Sequence, residues 1–405
     1  MTEIFTGEFT QQEPIPEAAI EAAIAVMRSG RLHRYNVAEG EQGHVALLEQ
    51  EFAASVEASF CLAVASGGYA LATALRASNV QPGDRVLTNA FTLAPVPGSI
   101  ASVGAIPVYV GVTEDLVIDL EDLQAKIAQA DVLMLSHMRG HICDMDHLMK
   151  ICEQAGVRVI EDCAHTMGAK WRETWSGRHG VVGCYSTQTY KHINSGEGGF
   201  LVTDDADVMA KAVILSGSYM LYDRHIAAPA ASHFDEIRYH TPNVSGRMDH
   251  LRAAILRPQL ANLQAQAQAW NMRYQAVEAA LAHTPGLTLI SRPKEESYVG
   301  SSIQFLLLDW TPDRVENLLA RCASRGVELK WFGSKEPTGF TSRYDCWRYA
   351  PSSAMPNSDR VLAGVIDMRL PLTFSLEDCA VIGRIIRAEV GALYQLADSA
   401  AQNAI

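Results

Sequence analysis

Short apolar runs of strand length alternate along the first half of the chain with longer stretches whose apolar residues recur at helical spacing. CLAVAS is followed by LATALRAS, and RVLTNAF, IPVYVGV, DVLMLSH, HLMKICEQAG and VRVIED continue the series. Such alternation predicts βαβ units and a mainly parallel sheet. A sheet of that kind takes its ligands beyond the C-terminal ends of its strands, so chemistry is expected where these runs stop.

The pattern changes in the second half. The stretch MDHLRAAILRPQLANLQAQAQAWNMRYQAVEAALAHT is rich in Ala and Gln, with Pro258 as its only internal breaker, and predicts one long helix bridging two domains. SSIQFLLLDW, a helix-like DRVENLLARCASRG, a strand-like VELKWF and a last helix from Ser375 to about Ala397 then make a compact α/β unit. Residues 333–357, with their Gly, Pro, Ser and aromatic residues, read as a loop. The expected organisation is an N-terminal arm and large domain over residues 1–250, then the linking helix and a small domain over residues 251–405.

Composition narrows the class of partner. A chain of 405 residues exceeds what one core usually supports, and 48% hydrophobic with 20% charged residues is ordinary globular usage. A net charge of -13 disfavours a phosphate backbone as partner, so nucleic acid is not expected. The start MTEIFTGEFTQQEP has neither a basic nor an apolar leader region, and no apolar run reaches membrane-span length, so a cytoplasmic protein without membrane contact is expected. The eight cysteines are scattered with no CxxC pair and no His at zinc spacing; they are read as reduced core thiols, and no metal is expected. Cys163 and Cys184 count among these as small apolar strand residues.

Three apolar runs end in residues with chemistry to offer. VRVIED sets Asp162 at the C-terminal edge of a strand, where a desolvated carboxylate favours a protonated ring nitrogen. In CYSTQTYKHINSGEGGFLVTDD, Gly196, Gly198 and Gly199 predict a tight reversal that keeps Lys191 inside; a desolvated lysine has a lowered pKa, and its neutral amine attacks aldehydes. Between CLAVA and a helix starting near Tyr69, Ser66-Gly67-Gly68 sets backbone N–H groups where they hold phosphate oxygens without basic side chains. Ser186, five residues before Lys191, adds a hydroxyl within reach of the same phosphate. Singly, each has a plainer reading: an Asp closing a turn, a surface lysine, a Gly-Gly turn. Jointly they meet the demands of pyridoxal 5′-phosphate (PLP).

Asp162 in EDCAH, 29 residues before Lys191, with Ser186 and GEGG around that lysine, resembles the DegT/DnrJ/StrS-type family of PLP-dependent sugar aminotransferases. The resemblance covers nearly the whole chain: Ile15 to Phe52 for the N-terminal helix and glycine-rich stretch, SGGYALATAL for the phosphate loop, GRMDHLRAAIL for the N-Y-R-M segment. It implies the aspartate aminotransferase-like fold type I: α/β, a large domain with a mainly parallel, seven-stranded-type mixed sheet, and a small α/β C-terminal domain. It also implies Lys191 as Schiff-base lysine and transfer base, Asp162 at the pyridine nitrogen, His165 near the ring's O3′, and Ser66, Gly67, Gly68 and Ser186 at the phosphate.

Departures from the family pattern are equally specific. Leu93 stands where an aromatic residue normally covers the ring, with Phe91 as the alternative; Ser245 replaces the family's asparagine, with Asn243 two residues away, and Arg247 matches its arginine. Asn243 to Arg247 is the segment that, by resemblance, completes a neighbour's phosphate site, so a symmetric homodimer with shared sites is expected. In place of the HYP-like segment the chain has Trp331-Phe332, with Trp347 and Tyr349 downstream; these aromatics line a substrate pocket or lie in the core, and the acceptor is then not the usual nucleotide-linked keto-sugar. The expected reaction moves an amino group from glutamate or glutamine to a keto or aldehyde acceptor, with a keto-sugar of a biosynthetic pathway among the candidates. Two rivals stand beside it: a sugar dehydratase, in which histidine replaces the lysine, a register check on His192; and a non-catalytic PLP-binding regulator.

Overall fold

The computed structural model describes residues 3–402, with side chains through residue 396. In its first half the strands are β1 (Phe60–Val64), β2 (Arg85–Asn89), β3 (Ile106–Val110), β4 (Val132–Ser136), β5 (Arg158–Asp162), the short β6 (Lys170–Trp171) and β7 (Thr174–Trp175), β8 (Val182–Ser186) and β9 (Gly199–Thr203). Seven of them form one sheet in the order β1-β9-β8-β5-β4-β2-β3. It is parallel except for β9, which runs antiparallel to both β1 and β8. Its strands read as unbroken apolar runs because both faces are covered. Along β4, Val132 and Met134 pack with Leu71 and Ile100 on one face, while Leu133 and Leu135 pack with Leu148 and Ile151 on the other. The register aligns Ser136 with Asp162 and Asp162 with Cys184, so β4 and β5 end level and β8 runs two residues further, to Ser186.

The second half adds β10 (Thr288–Leu289), β11 (Glu296–Ser297), β12 (Ser302–Leu306), β13 (Lys330–Trp331) and β14 (Val365–Arg369). Four of these make an antiparallel sheet ordered β10-β12-β14-β13, and β11 joins β6 and β7. The single linking helix expected from the sequence is two, His250–Leu260 and Leu263–Leu281. Pro258 lies within the first; it donates no hydrogen bond and its ring crowds the preceding turn, and the helix stops two residues later. The second helix does bridge: Ala267 and Trp270 pack with Leu135 and Leu148, whereas Tyr274, Val277 and Leu281 pack with Phe305 and Ile366 of the small sheet.

The first residues of the chain pack on the core around the small sheet. Phe5 and Phe9 pack edge-on to Phe374 at 4.9 and 5.0 Å, and the Phe5 N–H donates to Arg325 O at 2.9 Å, so these rings complete the small domain's core. All eight thiols are unpaired, and seven are buried. Among the described residues no helix is long and apolar enough to cross a membrane.

Candidate active site

Alternation along β5 sends its two acids to different tasks. Glu161 accepts from the backbone N–H groups of Gly177, His179 and Gly180 at 2.8, 2.8 and 2.7 Å, and meets His137 Nε2 at 3.0 Å. Burial raises its pKa, but the His137 bond and the backbone donors outweigh it and leave the carboxyl below its ordinary value. Asp162 accepts from Ser136 Oγ at 2.9 Å and Ala164 N–H at 3.2 Å, and burial pushes it above the usual carboxylate range despite them. A buried carboxylate in that state gains from a cationic partner, which a ring N–H⁺ supplies.

The β8–β9 connection folds back on itself: the N–H groups of Thr187, Thr189 and Ser195 donate to Gly198, Gly196 and Thr187 carbonyls at 2.9, 3.1 and 3.0 Å. Gly196 and Gly198 turn at φ 82° and 148°, conformations that L side chains rarely adopt. Lys191 sits on this reversal with Nζ 2.9 Å from His165 Nε2. Burial first, then the Arg139 charge, lower its pKa to about 7, with Asp162 opposing. His165 lies well below its ordinary value for the same reasons, burial and then Lys191, so it is neutral. Its Nδ1 faces the Arg139 N–H at 3.4 Å; assigned from that contact, the ring hydrogen is on Nε2 and donates to a neutral Lys191 amine.

The Ser66–Gly68 turn forms where β1 gives way to the helix Gly67–Ala77. Ser66 caps that helix in extended conformation, its Oγ accepting from the Tyr69 N–H at 3.1 Å, and the first-turn N–H groups of Gly67 and Gly68 have no acceptor within the helix. A Cβ on Gly67 would stand 2.8 Å from Ser186 Cβ, and one on Gly199 would stand 2.7 Å from Gly67 N. The turn, β9 and Ser186 are therefore in contact, which is the close backbone approach that the Gly-Gly pair foretells.

Other sequence-derived candidates fall into three groups. Leu93 lines the cleft beside Lys191, while Phe91 turns away to meet Phe332 edge-on at 5.1 Å. Trp331 and Phe332 are not cleft walls: Trp331 Nε1 donates to Ala363 O at 2.7 Å, and Phe332 is buried against Phe91 and 5.7 Å below the Arg139 guanidinium. Asn243 and Ser245 are exposed beside the end of β1, where Ala65 N–H donates to Gly246 O at 2.8 Å; Arg247 Nη1 donates to Gly217 O at 2.8 Å. None of these three lines the cleft of its own chain. His192 points elsewhere, with Nε2 3.1 Å from Ser301 Oγ and its ring edge-on to Trp270, so Lys191 is the residue that reaches His165.

The sequence reading missed Arg139, Lys330 and Arg369, which line the same cleft. Two of them had a signal: Arg139 follows the end of the DVLMLS strand and Arg369 closes VIDMR, and strand ends are where the sheets' ligands sit.

Comparison with known proteins places this geometry. The DegT/DnrJ/EryC1/StrS aminotransferase family model matches residues 15–387. A putative L-glutamine:3-amino-2,3-dideoxy-scyllo-inosose aminotransferase of Micromonospora echinospora is 36% identical over 169 residues, covering 41% of this chain and 40% of that one. L-glutamine:2-deoxy-scyllo-inosose aminotransferase of Streptomyces fradiae is 30% identical over 259 residues, covering 62% of this chain and 60% of that one. The matched stretches thus span less than two thirds of these curated relatives. 3-Amino-5-hydroxybenzoic acid synthase superposes with a TM-score of 0.82 over 97% of this chain and 100% of that chain at 24% identity, a likeness of fold. Since the family match runs through the helix and strand ends that carry Asp162, Ser186 and Lys191, this chain belongs to the DegT/DnrJ/EryC1/StrS aminotransferase family.

Proposed function

We propose that the protein is a PLP-dependent aminotransferase that moves an amino group from L-glutamine or L-glutamate to the carbonyl of a small keto or aldehyde acceptor. The observation that carries this reading is the buried Lys191 amine, its pKa lowered to about 7, 2.9 Å from His165 and on the same sheet edge as Asp162 and the Ser66–Gly68 turn. The residues fit PLP: the cradle admits no Cβ at Gly67, and Asp162 lacks the cation its burial calls for. PLP, when bound, supplies an aldehyde for the lysine amine and a ring that takes up the electron pair left at the substrate carbon. Gly67, Gly68 and Ser186 would hold its phosphate, Asp162 its ring nitrogen, His165 its O3′ and Leu93 its face. Lys191 then takes and returns the proton at the substrate carbon, with a basicity near neutral that suits both directions. Relatives named for L-glutamine and inosose substrates support glutamine as donor and a cyclic ketone as acceptor. Borohydride reduction after loading with PLP tests the reading: the label is expected on the peptide carrying Lys191, and a label on another lysine, or none, overturns it.

The lysine's lowered pKa has a kinetic signature. Since only the neutral amine captures the cofactor, uptake of PLP by apoprotein is expected to rise with pH through about 7 and level off above it. Nα-acetyl-lysine in the same assay keeps accelerating toward pH ~10, the ordinary lysine range. Stopped-flow absorbance distinguishes the two profiles, and a protein profile that tracks the free amino acid would remove the case for a desolvated Lys191.

A homodimer with shared sites is part of the same proposal. The cradle within one chain offers neutral donors to a group carrying close to two negative charges, and Asn243, Val244 and Ser245 are exposed, where a second copy can meet them. Co-expressed Lys191→Ala and Arg247→Ala chains are each expected to be inactive alone, yet to recover about a quarter of wild-type activity. Half of randomly paired dimers are mixed, and each has one intact site. No recovery, with both parents dimeric and inactive, would rule out sharing.

A further inference from the structure

The turn after β4 is strained and is held from outside. Arg139 and Gly140 are both left-handed, at φ 55° and 82°, and for an arginine that conformation costs energy which the surroundings must offset. Three groups from the second half of the chain take hold of it. Arg139 forms an ion pair with Asp367 at 2.8 Å, and His141 Nε2 meets Gln304 Oε1 at 2.8 Å, both partners coming from the small sheet. The third hold is a second ion pair. Arg292 Nη1 donates to Gly140 O at 2.8 Å and to Glu296 Oε1 at 2.8 Å, and that same Glu296 oxygen accepts from the Ile142 N–H at 3.1 Å. The pair thus grips the turn on both sides of His141.

Both partners are buried: the Arg292 side chain is 8% exposed and that of Glu296 1%. The guanidinium lies over the Tyr298 and Tyr274 rings, 4.5 and 5.3 Å from their centres. A buried ion pair is seldom more stabilising than apolar side chains of the same volume, so its presence here points to what it holds. What it holds leads to the lysine. The Arg139 N–H faces His165 Nδ1 at 3.4 Å, and His165 Nε2 is 2.9 Å from Lys191 Nζ. A Cβ on Gly140 would stand 3.2 Å from His165 O and 3.4 Å from Val299 O, so the turn, His165 and the segment that carries the ion pair are in contact. That segment leaves the small sheet after β10, pairs through β11 with β6 of the first half, and returns as β12. The Arg139 charge is second only to burial in lowering the Lys191 amine; Arg369 acts in the same direction and Asp162 opposes them.

We propose that Arg292 and Glu296 are positioning residues that lock the turn after β4 and, through the Arg139 N–H and His165, hold the Lys191 amine in its reactive setting. Neither lines the cleft beside Lys191. The proposal rests on the PLP reading only for what the amine serves, because the amine itself is measurable in apoprotein. Acetic anhydride, which acylates neutral amines, is the probe, and labelling of the Lys191 peptide is followed by mass spectrometry from about pH 5 to 10. In wild-type apoprotein the labelling midpoint is expected at about 7. Arg292→Met/Glu296→Met takes away both contacts and leaves no lone buried charge; its midpoint is expected to rise by roughly one pH unit, as the Arg139 charge and the His165 contact lose their fixed places. Arg292→Gln is expected to move it the same way, and Arg292→Lys, which keeps a cation near Gly140 O, to return most of the shift. Glu389→Gln breaks a different ion pair of the small domain, with Arg321 and Arg325, and is expected to leave the midpoint in place. Where Arg292→Gln does not fold, the methionine pair carries the test.

A wild-type midpoint in the methionine pair overturns the proposal, because the turn then holds without the ion pair. An equal shift in Glu389→Gln overturns it as well, since any loss of stability would then do the same. So does a wild-type amine that already titrates near pH ~10, which leaves no special setting to hold. The expected shifts without a borohydride label on Lys191 keep the clamp and reject the cofactor reading instead.

Discussion

Lys191→Ala is expected to lose amino transfer by on the order of 10⁴-fold or more, because it removes both the covalent anchor and the proton-transfer base. Asp162, Ser186 and the Ser66–Gly68 turn remain, so cofactor is still retained, without the absorbance of the lysine-bound form. The same variant should regain a measurable fraction of activity with millimolar methylamine or ethylamine, which replace the missing amine from solution. His165, whose Nε2 faces Lys191 at 2.9 Å, keeps its place through the Arg139 N–H contact and does not substitute as base: burial and then Lys191 lower its pKa well below the ordinary value. The measurement is a single-turnover donor half-reaction followed by absorbance, with and without added amine. Activity within tenfold of wild type would mean that another residue carries the proton and that Lys191 only positions the cofactor.

The largest effect on stability is expected far from that amine, at Glu49. Its side chain is completely buried and takes two hydrogen bonds of 2.9 Å from Arg34, which is itself 1% exposed. It also accepts from the Ala63 N–H at 2.8 Å, while Arg34 and Tyr35 hold His225 between them at 3.0 and 2.9 Å. Glu49→Ala leaves a buried guanidinium without its carboxylate and a strand N–H without its acceptor, which costs about 3–5 kcal/mol, whereas a paired Arg34→Leu/Glu49→Leu change is expected to cost much less. Burial raises the Glu49 carboxyl but Arg34 and His225 more than compensate, holding it at about 2 against an ordinary 4.5. The pair's contribution is therefore full above about pH 4.5 and is lost as pH falls toward 2, and this part of the acid sensitivity should vanish in Glu49→Ala. Urea unfolding of wild type and the two variants at several pH values decides the matter; a Glu49→Ala loss under 1 kcal/mol would show that water or a rearranged Arg34 replaces the carboxylate. Ala63 is on β1, three residues before the Ser66 cap, so the network also fixes the strand that presents the phosphate cradle.

Much of the fold and half of the site were legible in the chain itself, for a local reason. Strand-length apolar runs and the residues at their ends are short-range features, so βαβ alternation, Asp162 at the end of β5, Ser186 at the end of β8, the glycine-driven reversal around Lys191 and the Ser66–Gly68 turn could all be read in order. The positions of Trp331 and Phe332 could not. VELKWF looks like a strand whose aromatics face a pocket, but the pairing of β13 with β14 sets Lys330 against Asp367, puts Trp331 on Ala363 and buries Phe332 under Arg139. A strand's period of two says which residues share a face; only its partners say which face meets the cleft. Pro258 was visible as a breaker, but the break itself falls after it, between Leu260 and Leu263. The sequence alone determined where Lys191, Asp162 and the Ser66–Gly68 turn fall in the fold. The tertiary structure decided that Arg139 from one sheet and Lys330 and Arg369 from the other close on the same cleft, because long-range strand pairing and domain packing, which no local pattern encodes, bring their ends together.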